Sequence, residues 1–283
     1  MSTTNTIIMA NREGAFNDPL IERVRRTVKT HSRLIGEVGP GDPVPEETNR
    51  LVVIGGDGTM LSTLRNNLDN RIPVLGVNAG RLGVLAEFDA ESLEANAALV
   101  FGERPLVRQH LVLQVSILDR DRRQRFQTVA VNDCVISAGA PFRMIELSLK
   151  IDQTEGPSIN GDGLIVASPI GSTAYNVSAG GPIVQPTVDA MIVSAVAPHS
   201  LAFRPIVADA QTVIEVGITR ANEGTTLVLD GQETHPLQED ERLIFQRHPD
   251  GARLIGNPDS PYWNTLIEKM RWGAPPTYRD RGT

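Results

Sequence analysis

The chain reads as α/β plus all-β: an N-terminal Rossmann-like α/β domain followed by a C-terminal β-sandwich-like domain. Three observations carry this reading. Up to about residue 104, apolar strands alternate with stretches of helical period, the pattern of a parallel sheet whose site lies at the strands' carboxyl ends. From Val107 onward the runs are short and β-rich with little helical period, as in a largely antiparallel sandwich. Gly102 to Pro105 breaks the texture between them. The expected division is therefore 1–104, 105–256, and a last segment, 257–283, packing back on the first domain.

Each element has its own reason. Thr6 to Ala10 is a first short strand. Asn17-Asp18-Pro19 supplies a cap and a proline at a first helical position. Leu20, Ile21, Val24 and Val28 continue the helix as an apolar stripe, with Arg23, Arg25, Arg26 and Lys29 on the wet face. Gly39 to Glu47, rich in glycine, proline and acid, is a loop. The strand from Leu51, the helix through Met60, Leu61 and Leu64, and a strand at Ile72 to Val77 form a β-α-β unit. Asp89 caps a further helix that packs through Leu93, Ala97 and Leu99. The β-rich runs are Val107–Leu118, Gln127–Ser137, Met144–Ile151, Val213–Ile218, Thr225–Leu229, Leu243–Gln246 and Arg253–Ile255. Trp263, Leu266, Ile267 and Met270 make a last amphipathic helix, and the tail from Gly273 reads as loosely held.

Composition sets the outer limits. At 283 residues the chain buries a sizeable core, and 40% apolar with 22% charged residues is ordinary for a globular protein. A net charge of -7 argues against a basic nucleic-acid surface. The single cysteine, Cys134, follows an alternating apolar run and is expected to be a buried structural thiol. No apolar run reaches the roughly 18 residues of a membrane span, and the N-terminus lacks a charged-then-apolar signal pattern, so a cytoplasmic protein without a membrane partner is expected. The five histidines show no metal-ligand spacing.

The chemistry concentrates in two glycine-rich segments. In the first, Leu51-Val52-Val53-Ile54 runs into Gly55-Gly56-Asp57-Gly58-Thr59 and then a helix. Such a loop lets backbone amides approach phosphates, and the helix N-terminus favours negative charge. A carboxylate there would repel phosphate, so Asp57 needs another purpose: to accept a proton from a hydroxyl, or to help hold a phosphate-bridging metal. The plain structural alternative is a turn aspartate capping the helix. In the second segment, the strand Leu164–Ala167 ends in a turn at Pro169–Gly171, and small hydroxyl residues open a helix through Ser178, closed by Gly180-Gly181-Pro182. Ser172 or Thr173 is the expected cap. Exposed amides, hydroxyls and the Tyr175 ring suit a ribose, phosphate or base, with a core tyrosine as the alternative.

Together these pieces resemble the NAD kinase family. The resemblance covers Gly55 to Thr59, Gly76 to Gly83, Asn132-Asp133, Gly161 to Tyr175, Ser178 to Pro182, Phe203 to Val207, and Asp230-Gly231-Gln232, in the family order. The first motif is shared with diacylglycerol and sphingosine kinases; the second singles out the NAD kinases. The resemblance implies transfer of a phosphoryl group from ATP to the adenosine ribose 2′-hydroxyl of NAD. Asp57 would be the catalytic base. Gly56, Gly58, Thr59, Asn132, Asp133, Asp162, Thr173, Ala174, Tyr175 and Ser178 would contact nucleotide, with Tyr175 stacking. Arg81 would meet phosphate, a surface role being equally open. Mg²⁺, or another divalent cation, would arrive with ATP rather than in a protein cage. A homodimer or homotetramer follows from the same resemblance, and inorganic polyphosphate is a further donor to consider.

Three positions depart from the family pattern. Asp133 stands where a glutamate is usual, Ile170 where a threonine precedes Gly-Ser-Thr-Ala-Tyr, and Val84 where an aromatic is common. They bear on substrate affinity more than on the chemistry. The competing readings are a lipid or sugar hydroxyl kinase built on the first motif, and a non-catalytic dinucleotide-binding regulator. Neither an apolar insertion for lipid nor loss of Asp57 supports them.

Overall fold

The computed structural model describes residues 4–10, 18–80, 83–141 and 143–270. They divide into two compact units. One comprises the chain to Met60, Pro73–Val107 and the chain from Ile255; the other comprises Leu61–Ile72 and Arg108–Leu254. No helix among the described residues is long and apolar enough to cross a membrane.

The first part of the chain runs β1 (Asn5–Ala10), α1 (Pro19–His31), β2 (Arg33–Val38), β3 (Arg50–Ile54), α2 (Asp57–Asn66), β4 (Val74–Val77) and α3 (Ala90–Val100). The strands lie in the order β2-β1-β3-β4, all parallel. Parallel strands need crossovers that cover the sheet, so β4 is apolar and buried throughout and β3 is apolar and buried from Leu51 to Ile54. Asp18 caps α1 by accepting the Leu20 N–H at 2.8 Å, ahead of Pro19. Asn17 lies outside the described residues. Asp89 and Ser92 cap α3 reciprocally. Leu93 and Ala97 pack as expected, whereas Leu99 is exposed. The strand β2 was not expected: it is an edge strand with half-buried residues, which gives it no apolar alternation to read.

The chain then continues through β5 (Val107–His110), β6 (Leu113–Leu118), β7 (Gln124–Ala130), β8 (Asp133–Ser137), β9 (Ile145–Ile151), β10 (Thr154–Gly161) and β11 (Gly163–Ala167). After a single-turn helix α4 (Tyr175–Ser178) come β12 (Ala190–Val196), β13 (Ile206–Asp209), β14 (Ile214–Arg220), β15 (Thr226–Leu229), β16 (Glu233–Pro236), β17 (Arg242–Arg247) and β18 (Ala252–Ile255). Helix α5 (Tyr262–Met270) follows. The second unit holds two six-stranded sheets, β10-β9-β14-β17-β6-β7 and β13-β12-β11-β8-β15-β16, and each strand pair whose direction is resolved is antiparallel. One apolar core takes side chains from both, among them Leu113, Leu147 and Phe245 from the first sheet and Ile136, Leu164 and Met191 from the second. That shared core makes the unit a sandwich. Cys134 lies in it, fully buried, its thiol raised well above the ordinary value by burial.

Two expectations need correction. The helix after Gly171 is only a 3₁₀ turn, Ile170–Thr173, followed by the four residues of α4. Neither Ser172 nor Thr173 caps it: the Ser172 hydroxyl is engaged with both the N–H and the carbonyl of Val184. On α5, Leu266 is buried but Trp263 and Ile267 stay exposed. Asn257 and Asp259, just before α5, bond to Glu87 and Asn96 within the first unit. The tail from Gly273 lies outside the described residues.

Candidate active site

In the first unit the site is built around one carboxylate. Strand β3 ends at Ile54, the Gly55 N–H donates to the Val77 carbonyl, and α2 begins at Asp57 itself. Gly56 and Gly58 are exposed on this turn, and Thr59 is half-buried. The Asp57 side chain reaches across to a neighbouring loop. It accepts the N–H groups of Val84 at 2.9 Å, Leu85 at 3.0 Å and Ala86 at 3.3 Å. Three successive amides of one loop thus set its orientation. Gly83 leaves room for it, since a Cβ there would fall 2.2 Å from Asp57 Oδ1. Val84 therefore contributes its backbone amide, which any residue but proline at that position retains.

In the second unit the sheet register brings three segments together. Asp133, first residue of β8, lies opposite Ala167, last of β11, and Cys134 lies opposite Leu229, last of β15. The segments 131–133, 168–175 and 230–231 therefore converge at one end of the sheet. They are tied by backbone. The Ser168 hydroxyl donates to the Val131 carbonyl at 2.6 Å, and the Ser168 N–H donates to the Asn132 carbonyl at 2.8 Å. Gly171 is required here: a Cβ would sit 2.0 Å from the Asn132 carbonyl oxygen. On α4, the buried Asn176 donates to the carbonyls of Ser172 and Pro182 and accepts from Ser194.

A cavity of about 380 Å³ opens at this end, lined by Asn132, Asp133, Ala174, Tyr175, Asp230 and Gly231 with Val135, Ser137 and Val228. Two of its walls are buried carboxyl groups. Asp133 is pushed up to about 7, first by burial and then by the negative charge of Asp230, against the Tyr175 N–H that it accepts. Burial also raises Asp230. Four donors nevertheless converge on its two oxygens, the arrangement an ionised carboxylate takes: the N–H groups of Val131, Asn132 and Asp133, and the Arg65 guanidinium.

The structure thus gathers Asn132, Asp133, Ala174 and Tyr175 around one cavity. Tyr175 is 47% exposed, so it is not a core tyrosine. Thr173, Ser178 and Asp162 do not line that cavity; Thr173 is half-buried and the other two are exposed. Arg81 lies outside the described residues. Arg204 turns its guanidinium onto the carbonyls of Leu201 and Phe203 and lines a separate, mostly apolar cavity of about 310 Å³. Sequence reasoning assigned no role to Asp230 or Arg65. The Asp-Gly pair at 230–231 is a hairpin signal, but the backbone partners of Asp230 lie 97 to 99 residues away and Arg65 lies 165 away, so no local pattern reveals them.

Comparison with known proteins gives the family. The family described as ATP-NAD kinase N-terminal domain matches residues 42–104, and the ATP-NAD kinase C-terminal domain matches residues 131–256. The NAD kinase of Rhodopirellula baltica is 37% identical over 256 residues, covering 89% of this chain and 82% of the relative. That of Desulforamulus reducens is 37% identical over 221 residues, 78% of this chain and 76% of the relative. Among solved structures, an NAD kinase from Archaeoglobus fulgidus in complex with ATP aligns with a TM-score of 0.76 at 27% identity, covering 95% of this chain and 99% of that one. Yeast NADH kinase complexed with NADH shares the fold, with a TM-score of 0.80 at 21% identity over 99% of this chain and 90% of its own. Both halves of the chain match in order, and with them the chain belongs to the NAD kinase family.

Proposed function

We propose that the chain is an NAD kinase, transferring the γ-phosphoryl group of ATP to the adenosine ribose 2′-hydroxyl of NAD to give NADP. The observation that carries the reading is the Asp57 carboxylate, locked by three backbone amides at the start of α2, in a chain of this family. A ribose hydroxyl is a poor nucleophile at neutral pH. A fixed carboxylate that takes its proton as the phosphoryl group transfers contributes roughly 10²- to 10⁴-fold. Positioning and charge neutralisation supply the rest, since phosphoryl transfer asks little covalent chemistry of the protein.

The second unit holds the dinucleotide in this reading. Asn132 reads an adenine edge or ribose. Asp133 accepts hydrogen bonds from ribose hydroxyls. Tyr175 presents an exposed ring for stacking, and Gly56, Gly58 and Thr59 offer their backbone to phosphate. Asp162, Thr173 and Ser178 remain assigned to NAD contacts. Mg²⁺ comes as part of the ATP substrate, keeping waters and phosphate oxygens as ligands. A homodimer or homotetramer and a cytoplasmic location belong to the same reading, and sedimentation and cell fractionation check them.

The test is direct. Protein incubated with NAD, ATP and Mg²⁺ forms NADP, and Asp57→Asn keeps NAD binding while losing about 10²-fold or more of turnover. An Asp57→Asn variant with near-normal turnover removes Asp57 from the base role. NAD binding without any NADP formation favours the regulator. Repeating the assay with polyphosphate and with NADH defines donor and redox preference.

A further inference from the structure

We infer that Arg65 is a positioning residue for dinucleotide binding: by pairing with the Asp230 carboxylate it fixes the Asn132–Asp133 turn in the shape that takes NAD. The inference rests on the functional reading above and deepens it. It begins from the hairpin turn after β15, where Asp230 adopts φ 50° and Gly231 φ 65°. Asp-Gly is the pair that a hairpin turn with positive φ at both central positions takes, so the turn sets the Asp230 backbone. What holds its side chain is a set of four donors. Its Oδ1 accepts the N–H of Asn132 at 2.7 Å and of Asp133 at 3.2 Å; its Oδ2 accepts the Val131 N–H at 3.1 Å and Arg65 Nη1 at 3.0 Å.

The three amides are consecutive, so they can all reach one carboxylate only while the backbone at 131–133 is bent into a concave turn. The carboxylate is the template for that bend. The Asp230 N–H donates in return to the Asp133 carbonyl at 2.9 Å, which closes the pairing. Arg65 then fixes the template from outside. Its side chain is 6% exposed and that of Asp230 is 0% exposed. Its second terminal nitrogen reaches Gln232 Oε1 at 3.2 Å and Glu233 Oε1 at 2.8 Å, so the guanidinium fork grips the hairpin at three points. A buried ion pair of this kind is weak evidence for stability but good evidence for a specified conformation when every lone pair is used.

The residues so fixed are the ones that line the cavity. Asn132 and Asp133 project from the clamped turn, with Asp230 and Gly231 beside them. The charged group acting on Asp133 is Asp230 on the hairpin, which is itself paired with Arg65 on α2, and Arg65 also pairs with Glu233 on β16. Without the guanidinium, Asp230 would be a buried charge beside a second carboxyl and would take up a proton, and a protonated carboxyl no longer accepts three amides well.

Two measurements on the full chain test this. In the free protein, hydrogen exchange at the amides of Val131, Asn132 and Asp133 is slow; in Arg65→Met it speeds up by roughly tenfold or more while the β6–β17 amides keep their protection. In the kinetic assay, Arg65→Met raises KM for NAD by roughly tenfold with kcat and KM for ATP within about twofold. Should Arg65→Met not fold, Asp230→Asn removes the same charge pairing and must move both readouts in the same direction. Unchanged exchange at 131–133 overturns the inference, as does a loss confined to kcat, or an unchanged KM for NAD despite faster exchange. Failure of the wild-type chain to make NADP is a different result: it overturns the functional reading and leaves the exchange measurement to judge the clamp.

Discussion

At the scale of single residues the carboxyl groups matter most, because each is handled differently. Asp57 is held by amides of one loop. Asp230 is held by amides and a guanidinium. Asp133 has burial and a like charge against it, and titrates at about 7. Its unfolded value is about 4. Between those two pH values the folded chain keeps a proton that the unfolded chain has released, so this group's contribution to stability is fully present below about pH 4 and lost as pH rises to about 7. Asp133→Asn should recover ~2–4 kcal/mol at about pH 8 and nothing at about pH 4. Denaturant unfolding at the two pH values checks this. The same titration bears on the substrate: KM for NAD should fall as Asp133 ionises between about pH 6 and 8, and the Asn variant should lose that slope.

At the scale of elements, the interlock between the 168–171 turn and the 131–133 turn sets the shape of the cavity. Gly171→Ala forces a Cβ onto the Asn132 carbonyl, whose closest approach is 2.0 Å and which belongs to backbone. We expect a loss of ~1–3 kcal/mol in stability and a raised KM for NAD with a smaller change in kcat, both read from unfolding and steady-state kinetics. Elements also show what a sequence carries. The capped helices α1 and α3 and the buried strands β3 and β4 were legible, since their signals are local: Asp18-Pro19, Asp89 with Ser92, and unbroken apolar runs. Strand β10 was not, because its exposed stretch holds Gly156 and Pro157 and shows no alternation. Strand β16 is a short edge strand ending in Pro236. Strand β12, Ala-Met-Ile-Val-Ser-Ala-Val, was legible as a buried apolar run and was passed over. In the site, the glycine motifs made legible the strand-to-helix turn at Asp57 and the turn that leads to Tyr175. The role of Asp230 was hidden, because a clamp across 97 to 99 residues has no local pattern.

At the scale of the whole molecule, each unit has its own apolar core. Phe88 is fully buried in the first, Phe245 in the second. Replacing either by Ala should cost ~3–5 kcal/mol, and hydrogen exchange should rise first in the unit that carries the cavity. Neither variant touches the site directly, so the activity that remains folded should keep its wild-type KM.

The route of the chain has an evolutionary consequence. The first unit is gathered from three separate stretches, and the second from two. No single crossover between genes can therefore exchange one unit for that of a relative: a breakpoint before Leu61 or after Leu254 divides the first unit alone, and one between them divides both. Replacing one whole unit by a relative's takes a breakpoint at each of the four boundaries between them, so a change confined to one unit is reached more simply by substitution within it.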